Sequence, residues 1–452
     1  MRNPAALLLA DGTRFDGSGL GATGVALGEA VFYTGMTGYE EALTDPSYAG
    51  QILAFTYPLI GNYGVSGTVS QHPHACVAGA AMKHISEHPS HFAAKQDLTS
   101  WLDEQGVRTI VGIDTRALTI ALREHGTIPA ALAVGDDALA RIEPELARYV
   151  RDATTQGLVA SVADAYRPGQ VVGDGRKHVV LLDCGVKKNI IRDLTALDAR
   201  VTVLPYGAGA EQILAEGADA VVISPGPGDP RDLGGTVETL RSLIGKTPLF
   251  GVCLGHQLLA LACGGETYKL PYGHRGGNQP VKDLVHDEVL ITAHNHGYAV
   301  DGDTLPADLE ATMVNLNDGT NEGFRHRTHT IEAVQFHPEA SPGPFDARNL
   351  FARWLQRVDA WRRRSPRRPR CRCRRRSRRS PCARSTSTPS RCTPTGRRSR
   401  SATCSTWRST FASASRCRRW TSWSSPTWGR CRSSATSGTS RTRRRGPTSS
   451  RR

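Results

Sequence analysis

Phe250-Gly-Val-Cys-Leu-Gly-His-Gln257 decides how this chain is read. A short apolar run, Pro248–Cys253, stops at a cysteine, and Leu258-Leu-Ala-Leu-Ala262 continues with the composition of a helix. Gly251 and Gly255 flank Cys253 at two residues on either side. A strand that turns at once into a helix needs small neighbours there, and the turn holds its central side chain out above the sheet edge. A helix N-terminus stabilises negative charge, and the thiolate is the attacking form of cysteine. Its backbone N–H groups can also hold an oxyanion. A buried core cysteine before a glycine-rich turn would give the same short pattern. The neighbouring segments must therefore decide between the two.

Upstream, apolar runs and helical patterns alternate. His178–Asp183, Arg200–Leu204 and Ala218–Ser224 read as extended; Lys188–Leu197, Ala210–Glu216 and Thr236–Ile244 read as helical. Alternation of this kind predicts an α/β fold, with a mostly parallel sheet flanked by helices. Ligands then gather beyond the carboxyl ends of the strands. Ile223-Ser-Pro-Gly-Pro-Gly-Asp-Pro230 follows one such end, and its glycines allow close backbone approach to a ligand. It lacks the Gly-Lys-Ser/Thr ending of a phosphate loop.

Downstream, Ile331-Glu-Ala-Val-Gln-Phe-His-Pro-Glu-Ala340 supplies what a thiol nucleophile requires. His337 and Glu339 lie two apart and in extended backbone face one side. The histidine can take the thiol proton and the glutamate can orient the ring. No metal site is expected in the pattern.

Residues 1–150 open with short apolar stretches between glycines: Ala5–Leu9, Gly24–Leu27, Ala30–Tyr33 and Gln51–Tyr57. This predicts a β-rich N-terminal α/β domain. Residues 114–126 read as a helix capped by Asp114 or Thr115 and closed by Gly126. Residues 151–177 are polar and rich in glycine, and read as a linker to a second domain at 178–358.

Charge is unevenly spread. Of 57 Lys and Arg residues, 29 lie at 361–452, a segment without any acid; residues 1–360 keep 28 bases against 42 acids, a net −14. The formal +15 of the whole chain thus gives no reason to read the body as nucleic-acid binding. Seven of the 11 cysteines lie in that same segment. The four in the body read as reduced thiols of a cytoplasmic protein. The short run Ala5–Ala10 is followed by Asp11 and reads as neither signal nor span. Residues 359–452 are read as an Arg/Ser-rich disordered tail with no means of forming a core. Every residue type from Trp361 onward, except Phe411, has G or C at the middle codon position. A GC-rich gene read out of frame gives that pattern, so a frameshift artefact is the expectation there. The competing reading, an arginine-rich arm for nucleic acid, predicts binding that collapses with salt.

Together, the Cys253 elbow, the Gln335-Phe-His-Pro-Glu339 segment and the Ser224–Pro230 loop resemble the class I glutamine amidotransferases. More narrowly, the body resembles the small-chain family of glutamine-dependent carbamoyl-phosphate synthase. Gly21-Ala-Thr-Gly24, Thr37-Gly-Tyr-Glu-Glu41, Leu43-Thr-Asp-Pro-Ser-Tyr48, Thr56-Tyr-Pro-Leu-Ile-Gly-Asn62 and Gly112-Ile-Asp-Thr-Arg-Ala-Leu-Thr119 carry that likeness in the N-terminal domain. Asp183-Cys-Gly-Val-Lys-Lys-Asn-Ile190, Gly273-His-Arg-Gly-Gly-Asn278 and Thr292-Ala-His-Asn-His-Gly-Tyr298 carry it in the second.

The resemblance implies hydrolysis of L-glutamine, with Cys253 as nucleophile, His337 as acid and base and Glu339 as its partner. It implies glutamine binding at Ser47, Gly226, Gly228, Leu254, Gln257, Asn295, Gly297 and Tyr298. Ammonia would pass through a tunnel to a large chain, which docks on the N-terminal domain and makes carbamoyl phosphate for arginine and pyrimidine synthesis. No cofactor is expected in this chain; ATP and Mg would act in the large chain. Neither membrane nor nucleic acid is an expected partner. The alternative is the amidotransferase subunit of another synthase. Two positions depart from the family pattern: Pro225 stands where Asn is usual, and Tyr298 where Phe is usual.

Overall fold

The computed structural model describes residues 3–152 and 155–364. The expectation of a disordered tail falls, beyond Arg364, outside the described residues.

Seven strands of the N-terminal region close into a barrel. Asn3–Leu9 pairs antiparallel with Arg14–Leu20 and with Ile128–Val134. Gly24–Tyr33, Gln51–Phe55, Gly79–Met82 and Arg108–Val111 run parallel to one another. The two apolar stretches read at 24–27 and 30–33 are halves of one ten-residue strand. Successive strand residues serve different cores, as the two-residue period requires. Ile52 and Ala54 join a cluster with Leu7, Leu118 and Leu132, whereas Leu53 and Phe55 join one with Tyr39, Leu98 and Trp101. The helix Thr115–His125 is capped by the Asp114 carboxylate, which accepts from the Arg116 and Ala117 N–H groups, and stops at Gly126 with φ 86°.

The second half is built on one ten-stranded sheet. Its centre is the expected parallel set, in the order Ala199–Pro205, Lys177–Asp183, Ala220–Ile223, Leu249–Val252, Ile331–Val334. Helices cover both faces. Val179, Leu181, Phe250 and Val252 pack with the helices Lys188–Ala196 and Leu350–Arg364, and Phe250 stacks on Trp354 with ring centroids 4.9 Å apart. Val180, Leu182 and Leu249 face Gly234–Leu243 and Leu254–Cys263.

Antiparallel strands extend this parallel centre on its far side: Asn321–His326, then the long hairpin Thr267–Asp283 and Glu288–Val300, then Leu309–Asn315. The segment read as a linker is packed instead. Gln170–Val172 adds a strand to the sheet edge, and Val159 is buried in the second core. Among the described residues, no helix is long and apolar enough to cross a membrane.

Candidate active site

The parallel centre ends its strands along one edge, and there the chain turns sharply at Cys253. The cysteine sits at φ 54° and ψ −105°, a conformation that L residues avoid. Its two glycine neighbours make the turn possible. A Cβ on Gly251 would lie 2.5 Å from the Gly255 backbone, and one on Gly255 would lie 2.4 Å from the Ile223 carbonyl oxygen. The Cys253 N–H is tied to the Val334 carbonyl at 2.8 Å, which fixes the elbow to the neighbouring strand. Leu254 opens the following helix, so its N–H is among the first-turn donors that have no intrahelical acceptor.

Immediately after Ile331–Val334, the chain brings His337 and Glu339 to the same place. His337 Nδ1 and Glu339 Oε1 are 2.7 Å apart, and both side chains are buried. The His337 N–H donates to the Ala293 carbonyl at 2.9 Å. The ring's Nε2 has no hydrogen-bond partner among the described residues, and the Cys253 sulfur is among the groups that favour its charge. Burial, and then Lys187, work against a charge on His337; Glu339 and Cys253 outweigh them and push its pKa up to about 9. Burial likewise opposes ionisation of Glu339, but His337 and Lys187 hold its carboxyl at about 2. The pair is therefore an imidazolium and carboxylate at neutral pH.

Lys187 was not singled out by sequence reasoning. Its ammonium sits 2.9 Å from Asp45 Oδ2 and 3.3 Å from Glu339 Oε1, almost wholly buried. Burial works against its charge, but the two carboxylates outweigh it and raise its pKa above the ordinary lysine range. Asp45 in turn accepts from the Ser47 N–H at 2.9 Å and from Asn295 Nδ2 at 3.1 Å. One buried network thus joins the N-terminal half to the Cys253 side.

A cavity of about 530 Å³ opens over the sulfur. Of the residues expected to bind substrate, Ser47, Gly226, Gly228, Gln257, Asn295, Gly297 and Tyr298 line it together with Cys253. Leu254 does not; its side chain is buried behind the elbow, and only its backbone N–H can serve. Ser47 Oγ is buried without a hydrogen-bond partner among the described residues, as a hydroxyl awaiting a ligand would be. Gln257 is already engaged, with Nε2 donating to the Tyr298 carbonyl at 2.8 Å and to Gln335 Oε1 at 3.1 Å. Gly226 cannot be larger, since a Cβ there would meet the Cys184 carbonyl oxygen at 2.1 Å. Gly228 has φ 90°. Tyr298's phenol is pushed up to about 12 by burial and by the neighbouring Asp229 carboxylate, so it stays neutral. Pro225 is buried and does not line the cavity.

The arrangement combines a strained cysteine, a proton-carrying histidine, helix N–H donors and a cavity with a mixed polar and apolar lining. It suits nucleophilic attack on a carbonyl carbon.

Family comparisons match this geometry. The model for glutamine amidotransferase class-I matches residues 180–356, and the model for carbamoyl-phosphate synthase small chain, CPSase domain, matches residues 7–132. The carbamoyl phosphate synthase small chain of Symbiobacterium thermophilum is 48% identical over 354 residues, covering 77% of this chain and 97% of that one. Its counterpart in Listeria monocytogenes is 46% identical, covering 78% and 96%. That of Clostridium perfringens is 44% identical, covering 78% and 99%. The chain belongs to the carbamoyl-phosphate synthase small-chain family.

Proposed function

We propose that this chain is the glutaminase subunit of carbamoyl-phosphate synthase. In this reading it hydrolyses L-glutamine through a thioester on Cys253 and delivers the ammonia to a large ATP-dependent chain. The observation that carries the proposal is the convergence of Cys253, His337 and Glu339 below a cavity lined from both halves of the molecule.

The Cys253 sulfur attacks the carboxamide carbon, and the negative charge that develops on oxygen is met by first-turn N–H groups of the elbow helix, Leu254 foremost. The protonated His337, paired with the thiolate form of Cys253, gives its proton to the departing nitrogen, so ammonia leaves and a thioester remains. Water, deprotonated by the now neutral His337, then attacks the thioester to give glutamate and restore the thiolate beside the protonated ring. Glu339 holds the ring's orientation and balances its charge throughout. Ser47, Gly226, Gly228, Gln257, Asn295, Gly297 and Tyr298 are assigned to the glutamine.

A second cavity, of about 20 Å³, lies beside His337 and is lined by Asp45, Lys187, Asn295 and Pro342. It has room for one small molecule and supports an exit for ammonia beyond the triad. The large chain as docking partner, ATP and Mg as its cofactors, and a cytoplasmic setting belong to the same proposal.

The test is glutamine-dependent carbamoyl phosphate formation with purified large chain, ATP and bicarbonate. Cys253→Ser should abolish it while ammonia-dependent synthesis by the assembled pair persists. Undiminished glutamine use by the variant would overturn the assignment of Cys253.

A further inference from the structure

Behind the catalytic cysteine, four side chains that the reaction does not use converge. His274, His294 and His296 come from the long hairpin, and Glu322 from the strand beside it. His274 and His296 are paired directly across the hairpin, and His294 lies two residues from His296 on the same face. All four are buried, and one ligand atom from each lies within 4.8 Å of the others.

The outer contacts of the rings fix their protons. The Tyr298 carbonyl can only accept, so in its 2.7 Å contact His296 Nδ1 donates and Nε2 keeps a lone pair. Thr292's hydroxyl donates to the Gln279 carbonyl at 2.9 Å. In its 2.7 Å contact with that hydroxyl, His294 Nε2 must therefore donate, and Nδ1 keeps a lone pair. Asp318 accepts from His274 Nε2 at 2.8 Å, which leaves Nδ1 of the neutral ring bare; Asn315 Nδ2 approaches it only at 3.5 Å.

His294 Nδ1 and His296 Nε2 thus face each other with no hydrogen to share. His294 Nδ1 and His296 Nε2 are 3.1 Å apart. His274 Nδ1 is 3.4 Å from Glu322 Oε1, and His294 Nδ1 is 3.7 Å from Glu322 Oε2. Oε2 has no hydrogen-bond partner among the described residues. Donors at metal–ligand distances of 2.0–2.2 Å around a tetrahedral zinc ion stand about 3.3–3.6 Å from one another; the three separations of 3.1, 3.4 and 3.7 Å lie close to that range, and all four donors lie within 4.8 Å of one another. Each ring's other nitrogen is held by a carboxylate, a hydroxyl or a carbonyl, the outer support that metal-binding histidines require.

We propose that His274, His294, His296 and Glu322 form a closed four-ligand site for a divalent transition-metal cation of the zinc class. The sequence pattern had signalled no metal; the ligands come from three strands and meet only in the folded sheet. Four protein ligands leave no open position, so the role is structural. The ion would pin the strand that carries Asn295, Gly297 and Tyr298 against its neighbours. The inference stands apart from the glutaminase reading, because it uses neither Cys253 nor His337.

The test uses the full chain, loaded with zinc and alkylated under native conditions, so that Cys253 and other reactive cysteines cannot hold metal. After dialysis against a weak chelator, one zinc per chain should remain, as read by elemental analysis. His294→Gln and Glu322→Gln should each lose it, and Cys253→Ala should keep it. The cobalt-loaded alkylated chain should show tetrahedral visible absorption without a thiolate charge-transfer band. Retention of no zinc by the alkylated chain would overturn the site, as would metal that persists in both variants. If neither variant folds, the cobalt spectrum of the native chain decides: octahedral absorption or a thiolate band rules the site out.

Discussion

Asp45 and Lys187 meet across the two halves of the molecule at 2.9 Å, with side chains only 4% and 3% exposed. Neither charge has enough water to stand alone. The Lys187 ammonium also reaches Glu339, so the pair connects the N-terminal barrel region to the partner of the proposed catalytic histidine.

Removing one member of such a pair leaves the others buried and uncompensated. Lys187→Met should therefore destabilise the fold by about 3–5 kcal/mol. Urea unfolding of both proteins measures this. A loss of only a few tenths of a kcal/mol would mean that the network is open to water.

The titration of His337 tests the electrostatics from two directions. Its pKa is raised to about 9, with Glu339 and Cys253 supporting the charge and burial and Lys187 opposing it. Glu339→Gln removes an anion and should move the titration midpoint down; Lys187→Met removes a cation and should move it up. The sign for stability follows. A raised histidine pKa contributes stability that is complete below the unfolded value of about 6.5 and is lost as pH rises through about 9. Imidazole NMR of the wild type and both variants reads the midpoints, and a midpoint near 6.5 in the wild type would contradict the coupling.

The elbow makes a different kind of prediction. Gly251→Ala and Gly255→Ala each drive a Cβ into backbone that cannot yield cheaply. Each should cost at least about 1–3 kcal/mol, and each should slow alkylation of Cys253 by displacing it. Cys253 itself stores strain at φ 54°. Cys253→Gly should consequently be more stable than Cys253→Ala by about 1 kcal/mol. Equal unfolding midpoints would show that the turn is unstrained.

The parallel centre was legible because its strands are buried on both faces and read as unbroken apolar runs such as Val179–Leu182. The antiparallel hairpin was not. Its bulges between Lys269 and His274 and between Gly276 and Gln279 break the alternation that marks a strand. Of the site, His337 and Glu339 could be placed from a spacing of two residues. Asp45 and Lys187 could not, because their burial depends on a pairing between segments 142 residues apart in the chain. Likewise, His294 and His296 show a ligand-like spacing, but Glu322 and His274 join them only through strand order.

The last helix sets where the body can be cut. Sequence reading ended the second domain at 358 and began the disordered tail at 359, whereas a helix runs from Leu350 to Arg364. In that last stretch Asp359 pairs with Lys177 at 2.9 Å, Arg362 pairs with Asp219, and Trp361 is half-buried. The two ion pairs are partly exposed and are worth about 0.2–1 kcal/mol each. A chain stopped after Arg364 should therefore melt with the full chain's cooperative unit intact. One stopped after Val358 should be less stable by on the order of 1–3 kcal/mol, with the Trp361 contact included. Both truncations should retain glutamine-dependent synthesis, since the helix packs on the sheet face that carries Phe250 and contributes no residue to the cavity. Thermal melts of the two truncations give the comparison. If the shorter chain proves as stable as the longer, the final turns of the helix add nothing to the body.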